Sequence, residues 1–205
     1  MSVDEKIKAV LFDFGNVICI FDNMKTVRRL AEHTDMEEQK IEWNIYHASG
    51  LQPRYEKGEI SSDEFYQSVK TLCGLDMSKE EFRDAYTDIF TPIPETCELI
   101  KRLRPGYKLG LVSDTSEWDF GNFQPPEVMA LFDAMTLSFQ VRTMKPDSRM
   151  YQDILYKMKL PARQCVYIDD KYPNVEKARW MGFHAIQYFS PERLLRDLKE
   201  QGLDF

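Results

Sequence analysis

Three apolar runs in this chain end on a polar residue. AVLF (9–12) ends at Asp13, KLGLV (108–112) ends at Ser113, and QCVYI (164–168) ends at Asp169 and Asp170. Each run reads as a strand buried on both faces, as in parallel sheets. In an open parallel sheet the strand C-termini share one edge, where ligands bind. These residues, far apart in sequence, would therefore converge. Carboxylates gathered in this way repel one another unless a cation neutralises them. Hard oxygen donors suit Mg²⁺, which keeps waters and substrate phosphate oxygens in its shell. Beside such an ion, an aspartate aimed in line at phosphorus can form an acyl-phosphate. The transferring phosphoryl group spreads negative charge over its oxygens and calls for a lysine and hydroxyl or amide donors. Lys145, in TMKPD, and Ser113 are the available candidates. Singly, Asp13 is as well explained as a turn cap, Ser113 as a helix N-cap and Lys145 as a surface loop residue. The chemistry rests on their arriving together.

The elements that must position these residues follow from the pattern around them. Gly15 and Asn16 break the first strand and allow a tight turn. Residues 23–33 and 36–48 carry apolar positions at helical spacing, and Gly50 and Pro53 read as the end of that pair. Residues 55–58 look turn-like. A third helix covers 62–72, and Ser78 with Glu81 forms a capping box for a fourth. The stretch 22–92 is thus expected to be all-helical, without a strand. Beyond Pro94 helix and strand alternate: helices at 95–103, 126–131, 147–158, 174–181 and 192–201, and strands at 108–113, 134–139, 164–168 and 184–188. Such alternation implies an α/β fold: a Rossmann-like parallel sheet with helices on both faces and right-handed crossovers. The expected division is a core made of 1–21 and 93–205, with a helical unit of 22–92 inserted after the first strand.

Composition bounds the rest. The 205 residues are 43% hydrophobic and 13% aromatic, enough for a substantial core, and the net charge of −7 argues against nucleic acid or an anionic membrane as partner. Cys19, Cys73, Cys97 and Cys165 form no CxxC pair and read as free, buried thiols. The N-terminal MSVDEKIK lacks the apolar segment of a signal peptide, and no run reaches transmembrane length, so a cytoplasmic location is the default. The histidines, two on cap helices and one on the last strand, read as packed or solvated rather than catalytic.

The set FDFGNV (12–17), VSDTS (112–116), MKPD (144–147) and YIDDKYPNVEKARWMG (167–182) resembles, in order and spacing, the four motifs of haloacid dehalogenase-like (HAD) hydrolases. The resemblance runs the length of the chain, with 22–92 corresponding to the family's C1 cap. It implies that Asp13 is the nucleophile. Mg²⁺ would be held by Asp13, the Gly15 carbonyl, Asp170 and Asp169, the last directly or through water. Ser113 and Lys145 would hold the phosphate, with Asn16 and Asp114 also at the substrate, and Asn174 would steady the acidic loop. Glu117 and Trp118 either face the substrate or, for Trp118, pack in the core. The partner implied is a small phosphorylated metabolite. Oligomeric state is left open.

One position departs from the family pattern. Most phosphatases of the family carry a second aspartate two residues after the nucleophile, as the acid that protonates the leaving group and later activates water. Here that position is Gly15. The DFGNV form resembles sugar-phosphate phosphatases of the α-glucose-1-phosphate phosphatase type. Either water, Asp22 or a cap residue supplies the proton, or only good leaving groups are handled. Cap residues near Arg54, Tyr55 and Glu56 would set specificity. Two further readings stand beside the Mg²⁺-dependent phosphatase. A 2-haloacid dehalogenase also uses an Asp nucleophile but needs no metal, which leaves Asp169 and Asp170 unexplained. A catalytically weak member would bind a phosphorylated ligand or a partner protein.

Overall fold

The computed structural model describes residues 6–123 and 125–205. The expectation about a signal peptide bears partly on residues 1–5, which lie outside the described residues. In chain order, β1 (Ala9–Phe12) and β2 (Cys19–Phe21) come first. Helices α1 (Asn23–Ala31), α2 (Glu38–Glu42, running on as a π-helix over Trp43–Ala48), α3 (Leu51–Glu56), α4 (Ser62–Cys73) and α5 (Lys79–Thr87) follow. Then come β3 (Phe90–Pro92), α6 (Pro94–Leu103), β4 (Lys108–Ser113), α7 (Glu117–Gly121), α8 (Pro126–Met129) and β5 (Ala134–Leu137). The chain closes with α9 (Ser138–Val141), α10 (Ser148–Met158), β6 (Cys165–Asp169), α11 (Tyr172–Trp180), β7 (His184–Gln187) and α12 (Pro191–Glu200).

Five strands form one parallel sheet in the order β5-β4-β1-β6-β7. The expected α/β architecture is therefore the observed one. Each strand residue faces one of two apolar layers. Val10, Phe12, Leu109, Leu111, Val166 and Ile168 pack with Ile100 and Leu103 of α6 and Leu194 and Leu198 of α12. Ala9, Leu11, Val112 and Tyr167 pack with Met150, Tyr151 and Ile154 of α10 and Ala178 of α11. Burial on both sides is why these strands read as unbroken apolar runs. Register aligns the functional ends. Phe12 lies opposite Leu111 on one side and Ile168 on the other, and Asp13 N–H donates to the Ile168 carbonyl at 2.9 Å.

The helices α1 to α5 bury a separate apolar cluster of their own, from Val27 and Leu30 through Phe65 and Phe82 to Tyr86. The expected capping box at Ser78/Glu81 is formed, and a second one stands at Ser61/Glu64, each an N-terminal device stabilising its helix by about 1 kcal/mol.

Two expectations for this stretch are corrected. First, residues 90–92 are a strand, not part of an all-helical segment. β3 pairs antiparallel with β2, Phe21 opposite Phe90 and Cys19 opposite Pro92. The segment FTP is too short for any periodicity, and it becomes a strand because the chain must leave and re-enter the sheet side by side. Second, residues 55 and 56 end a helix and do not form a turn. Gly50, in the left-handed region, stops the preceding segment, and Pro53 falls in the first turn of α3, where its missing N–H costs nothing.

The helical insertion touches the sheet domain at several points besides the ribbon. Ser62 Oγ donates to Glu117 at 2.7 Å, Tyr55 Oη accepts from the Trp118 amide at 3.3 Å, and Ser138 Oγ donates to the Glu56 carbonyl at 2.6 Å. Gly58, at φ +64°, lies so close to Phe139 that a Cβ there would sit 2.4 Å from the Phe139 carbonyl oxygen. All four cysteines are buried and free. No helix among the described residues is long and apolar enough to cross a membrane.

Candidate active site

Asp13 leaves β1 at the centre of the sheet edge, and the residues expected to join it do so. It is 7% exposed, and its Oδ1 accepts from the Phe14 amide at 2.7 Å and from Lys145 Nζ at 2.7 Å. Lys145 reaches in from the loop before α10 with its side chain 2% exposed. Its ammonium also donates to Asp169 at 2.9 Å and to the Val112 carbonyl at 3.1 Å. Asp114 fixes that loop by accepting from the Lys145 amide at 2.9 Å. One cation thus bridges Asp13 and Asp169 and offsets part of the charge that the parallel sheet gathers.

The two acidic residues after β6 have different surroundings. Both oxygens of Asp169 are filled by donors: Lys145, the Tyr167 hydroxyl at 2.6 Å, the Lys171 amide and Asn174. Asn174 Nδ2 reaches both oxygens and so ties α11 to the end of β6. Asp170 accepts from Asn16 Nδ2 at 3.1 Å on one oxygen only. Its other oxygen, Oδ1, is buried without a hydrogen-bond partner among the described residues. An orphaned buried carboxylate oxygen is costly unless something absent from the protein chain binds it. Carboxylate oxygens of Asp13, Asp169 and Asp170 lie within 4.8 Å of one another. An all-oxygen set of this kind fits a hard divalent cation such as Mg²⁺. Asp170 is the best ligand of the three, since Asp169 has no oxygen left unbonded. Asn16 holds Asp170 in place; its φ of +57° is a turn conformation that asparagine tolerates.

Electrostatics follow from burial. Burial works against the charge on Lys145, but Asp13, Asp169 and Asp114 outweigh it and hold the lysine protonated well beyond its ordinary range. Burial pushes the Asp13 carboxyl up to about 7, with Lys145 pulling it down and Asp169 raising it. Burial also raises Asp169, but Lys145 and its other donors bring it below the usual carboxylate range.

These groups open onto a cavity of about 300 Å³. It is lined by Asp13, Ser113, Asp114, Lys145 and Asp170 from the sheet edge, by Asp119 of α7, and by Gln52, Glu56 and Tyr86 of the helical insertion, with Phe21 of β2. Ser113 is buried, and its hydroxyl makes only a long 3.4 Å contact with the Asp114 carbonyl, so it is available to a ligand. Several other candidates are placed elsewhere. Asp22 N-caps α1 and faces Arg28 at 3.8 Å, away from the cavity lining. Arg54 is half exposed beside Glu59. Glu117 is bonded to Ser62, and the Trp118 ring packs against Tyr55, Phe82 and Tyr86 in the helical cluster. None of His33, His47 and His184 lines the cavity.

Asp119 was not anticipated. Ser116 N-caps α7 and donates to Asp119 Oδ2 at 2.8 Å, while Asp119 Oδ1 is buried without a partner among the described residues. Burial lifts this carboxyl to about 7, against the pull of Ser116. The signal was present as S-x-x-D directly after the second motif, a pattern that ordinarily marks only a helix start. Glu56, expected only as one of three cap-loop residues, is raised to about 8 by burial and by the charge of Asp119.

A family model for haloacid dehalogenase-like hydrolases matches residues 10–188. Among curated proteins, the chain is 25% identical over 189 residues to a D-ribitol-5-phosphate phosphatase of Bacteroides thetaiotaomicron, covering 88% of this chain and 91% of that one. Among solved structures it resembles a HAD-like hydrolase of Porphyromonas gingivalis, with TM-score 0.81 and 22% identity over 97% of this chain and 99% of that one. It also resembles a HAD enzyme of Bacteroides thetaiotaomicron in complex with magnesium and inorganic phosphate, with TM-score 0.76 and 20% identity over 89% and 94% of the two chains. With the family model spanning most of its length and the sheet edge built as described, the chain belongs to the haloacid dehalogenase-like hydrolases.

Proposed function

We propose that this hydrolase is a Mg²⁺-dependent phosphatase of a small phosphorylated metabolite, working through an aspartyl-phosphate on Asp13. The observation that carries this reading is the pairing of a buried, lysine-neutralised Asp13 with the unfilled Asp170 oxygen at the floor of one cavity. A bound Mg²⁺, held by Asp170 and Asp13 with the Gly15 carbonyl nearby, would supply charge neutralisation at the phosphate. The protein's own residues do the rest. Asp13 attacks phosphorus, Lys145 holds it ionised and oriented, and Ser113 with backbone amides binds phosphoryl oxygens. The 2-haloacid dehalogenase alternative would leave the Asp170 oxygen without a purpose.

The cavity admits a small ester, and the polar wall of Gln52, Glu56 and Asp119 suits hydroxyl groups. The similarity to a ribitol-phosphate phosphatase supports a sugar or polyol phosphate as substrate. The helical insertion serves as the cap domain, excluding water during the first step. The test is a screen of phosphorylated sugars and polyols with and without Mg²⁺, using Asp13→Asn as the blank. The reading requires release of phosphate that needs both the metal and Asp13. Equal turnover by Asp13→Asn, or undiminished turnover in a chelator, would overturn it.

A further inference from the structure

Gly15 brings no side chain to the family's usual acid position, and a Cβ there would lie 3.1 and 3.3 Å from ring atoms of Phe21, closer than side chains ordinarily pack. Phosphate esters of ordinary alcohols still need a proton at the departing oxygen. A proton donor must then come from elsewhere on the cavity wall. Besides Asp13, the carboxyls lining the cavity are Asp114 and Asp170, which are engaged by the Lys145 amide and by Asn16, and Glu56 and Asp119.

Resting on the phosphatase reading above, we propose that Glu56 is the general acid and base of this enzyme, with Asp119 as the residue that keeps it protonated. Its geometry is unusually fixed for a cap side chain. Gln52, one turn earlier on α3, donates to Oε1 at 2.9 Å, which leaves Oε2 to carry the proton. The backbone beneath it is clamped to the sheet domain: the Glu56 carbonyl accepts from Ser138, the preceding Tyr55 hydroxyl meets the Trp118 amide, and Gly58 abuts Phe139. The same Ser138 oxygen accepts from the Thr115 amide at 2.8 Å, two residues after Ser113. The helix bearing Glu56 is therefore registered against the phosphate-binding loop. Asp119 lines the same cavity, one of its oxygens is buried without a partner among the described residues, and its charge disfavours ionisation of Glu56. The groups that act on the charge of Glu56 include Asp119 and Asp114 beyond β4 and Lys171 before α11, and Tyr46 and Tyr86 of the insertion feel its charge in turn. Of these, Lys171 is the cation.

An Asp13 oxygen bonds to phosphorus, the bond from phosphorus to the ester oxygen breaks, and the Glu56 proton passes to that oxygen, releasing the alcohol. Water then bonds to phosphorus while its proton passes to the Glu56 carboxylate. The aspartyl–phosphorus bond breaks, phosphate leaves, and Asp13 and Glu56 return to their starting states.

The experiment compares two substrates of Mg²⁺-loaded Glu56→Gln enzyme: a polyol phosphate turned over by the wild type, and 4-nitrophenyl phosphate, whose leaving group departs without a proton. The expected loss in kcat/KM is about 10²–10³-fold for the polyol phosphate and under about tenfold for the aryl ester, the latter doubling as the check on folding. In Asp119→Asn, the alkaline limb of the polyol-phosphate profile should move to lower pH, which a purely structural role would not produce. Equal losses on both esters, or none on the polyol phosphate, would overturn the assignment. A wild type inactive on every phosphate ester would instead refute the phosphatase reading itself.

Discussion

Lys145→Met tests whether one ammonium group holds this site together. The side chain is 2% exposed and its nitrogen bridges Asp13 at 2.7 Å, Asp169 at 2.9 Å and the Val112 carbonyl at 3.1 Å. Methionine fills similar volume, so packing changes little. What changes is that two buried carboxylates lose their shared cation. Removing one partner of a buried pair costs about 3–5 kcal/mol, because the charge left behind is uncompensated. At an m-value of about 2–3 kcal/mol/M, the urea midpoint in a chelating buffer at pH 8 should fall by about 1–2 M. The loss should shrink on acidification. Asp13 already sits at about 7 in the folded protein because of burial, against an ordinary 3.8, and without Lys145 it rises further. A carboxyl whose folded pKa is raised binds its proton more tightly folded than unfolded. Stability of the variant therefore falls as pH climbs from about 4 to beyond 7 and is flat above. Urea titrations followed by circular dichroism at pH 5 and pH 8 measure both effects. A midpoint drop below about 0.3 M at pH 8, unchanged at pH 5, would show that the ammonium is not what reconciles these carboxylates.

Three other outcomes follow from the same geometry. Asp170→Asn should abolish the Mg²⁺-dependent rise in melting temperature while leaving the metal-free melting temperature within a few degrees, since the oxygen it alters has no protein partner; a retained metal response would place the ion elsewhere. Gly58→Ala should cost at least about 1–3 kcal/mol by overpacking and raise KM, because a Cβ at φ +64° would stand 2.4 Å from the Phe139 carbonyl oxygen and push α3 off α9; thermal melts and steady-state kinetics report it. Glu56→Gln should be more stable than wild type at pH 9 and no more stable at pH 5. The raised Glu56 pKa makes the wild type lose stability between about pH 4.5 and 8, and glutamine removes that slope. Parallel stability curves for the two proteins would contradict it.

How much of this was legible beforehand depends on the range of the interactions. The strands β1, β4 and β6 announced themselves because burial on both faces writes an apolar run into the sequence, and the parallel sheet then dictates that Asp13, Ser113 and Asp169 share an edge. Lys145 could be chosen only as a partner for their charge, and its position between Asp13 and Asp169 matches that logic. The ribbon β2–β3 was invisible, since three-residue strands carry no period and owe their form to a pairing distant in sequence, Cys19 with Pro92, Ile20 with Thr91 and Phe21 with Phe90. Helix α3 was misread because Gly50 and Pro53 are equally good as an ending and as a beginning. Asp119 was passed over because a helix cap explains its spacing fully. Only the cavity reveals that its second oxygen is left unbonded.

The positions of Gly15 and Glu56 are two sides of one arrangement. Phe21 is set by the β2–β3 ribbon, opposite Phe90, and its ring covers Gly15. The ribbon that joins the helical insertion to the sheet thus also sets the ring that packs beside Gly15. The carboxyls that remain face the cavity from α3, which belongs to the insertion, and from α7, whose Trp118 is packed into the insertion's aromatic cluster. By contrast, Asp13, Lys145 and Asp169 all stand on the sheet edge and keep their mutual contacts without the insertion. On the assignment proposed for Glu56, phosphoryl capture and proton transfer are therefore divided between two structural units. Loosening the insertion would leave the nucleophile intact and remove the proton donor, so kcat/KM would survive for esters of good leaving groups and fall for esters of ordinary alcohols, while hydrolysis of the aspartyl-phosphate would slow for both.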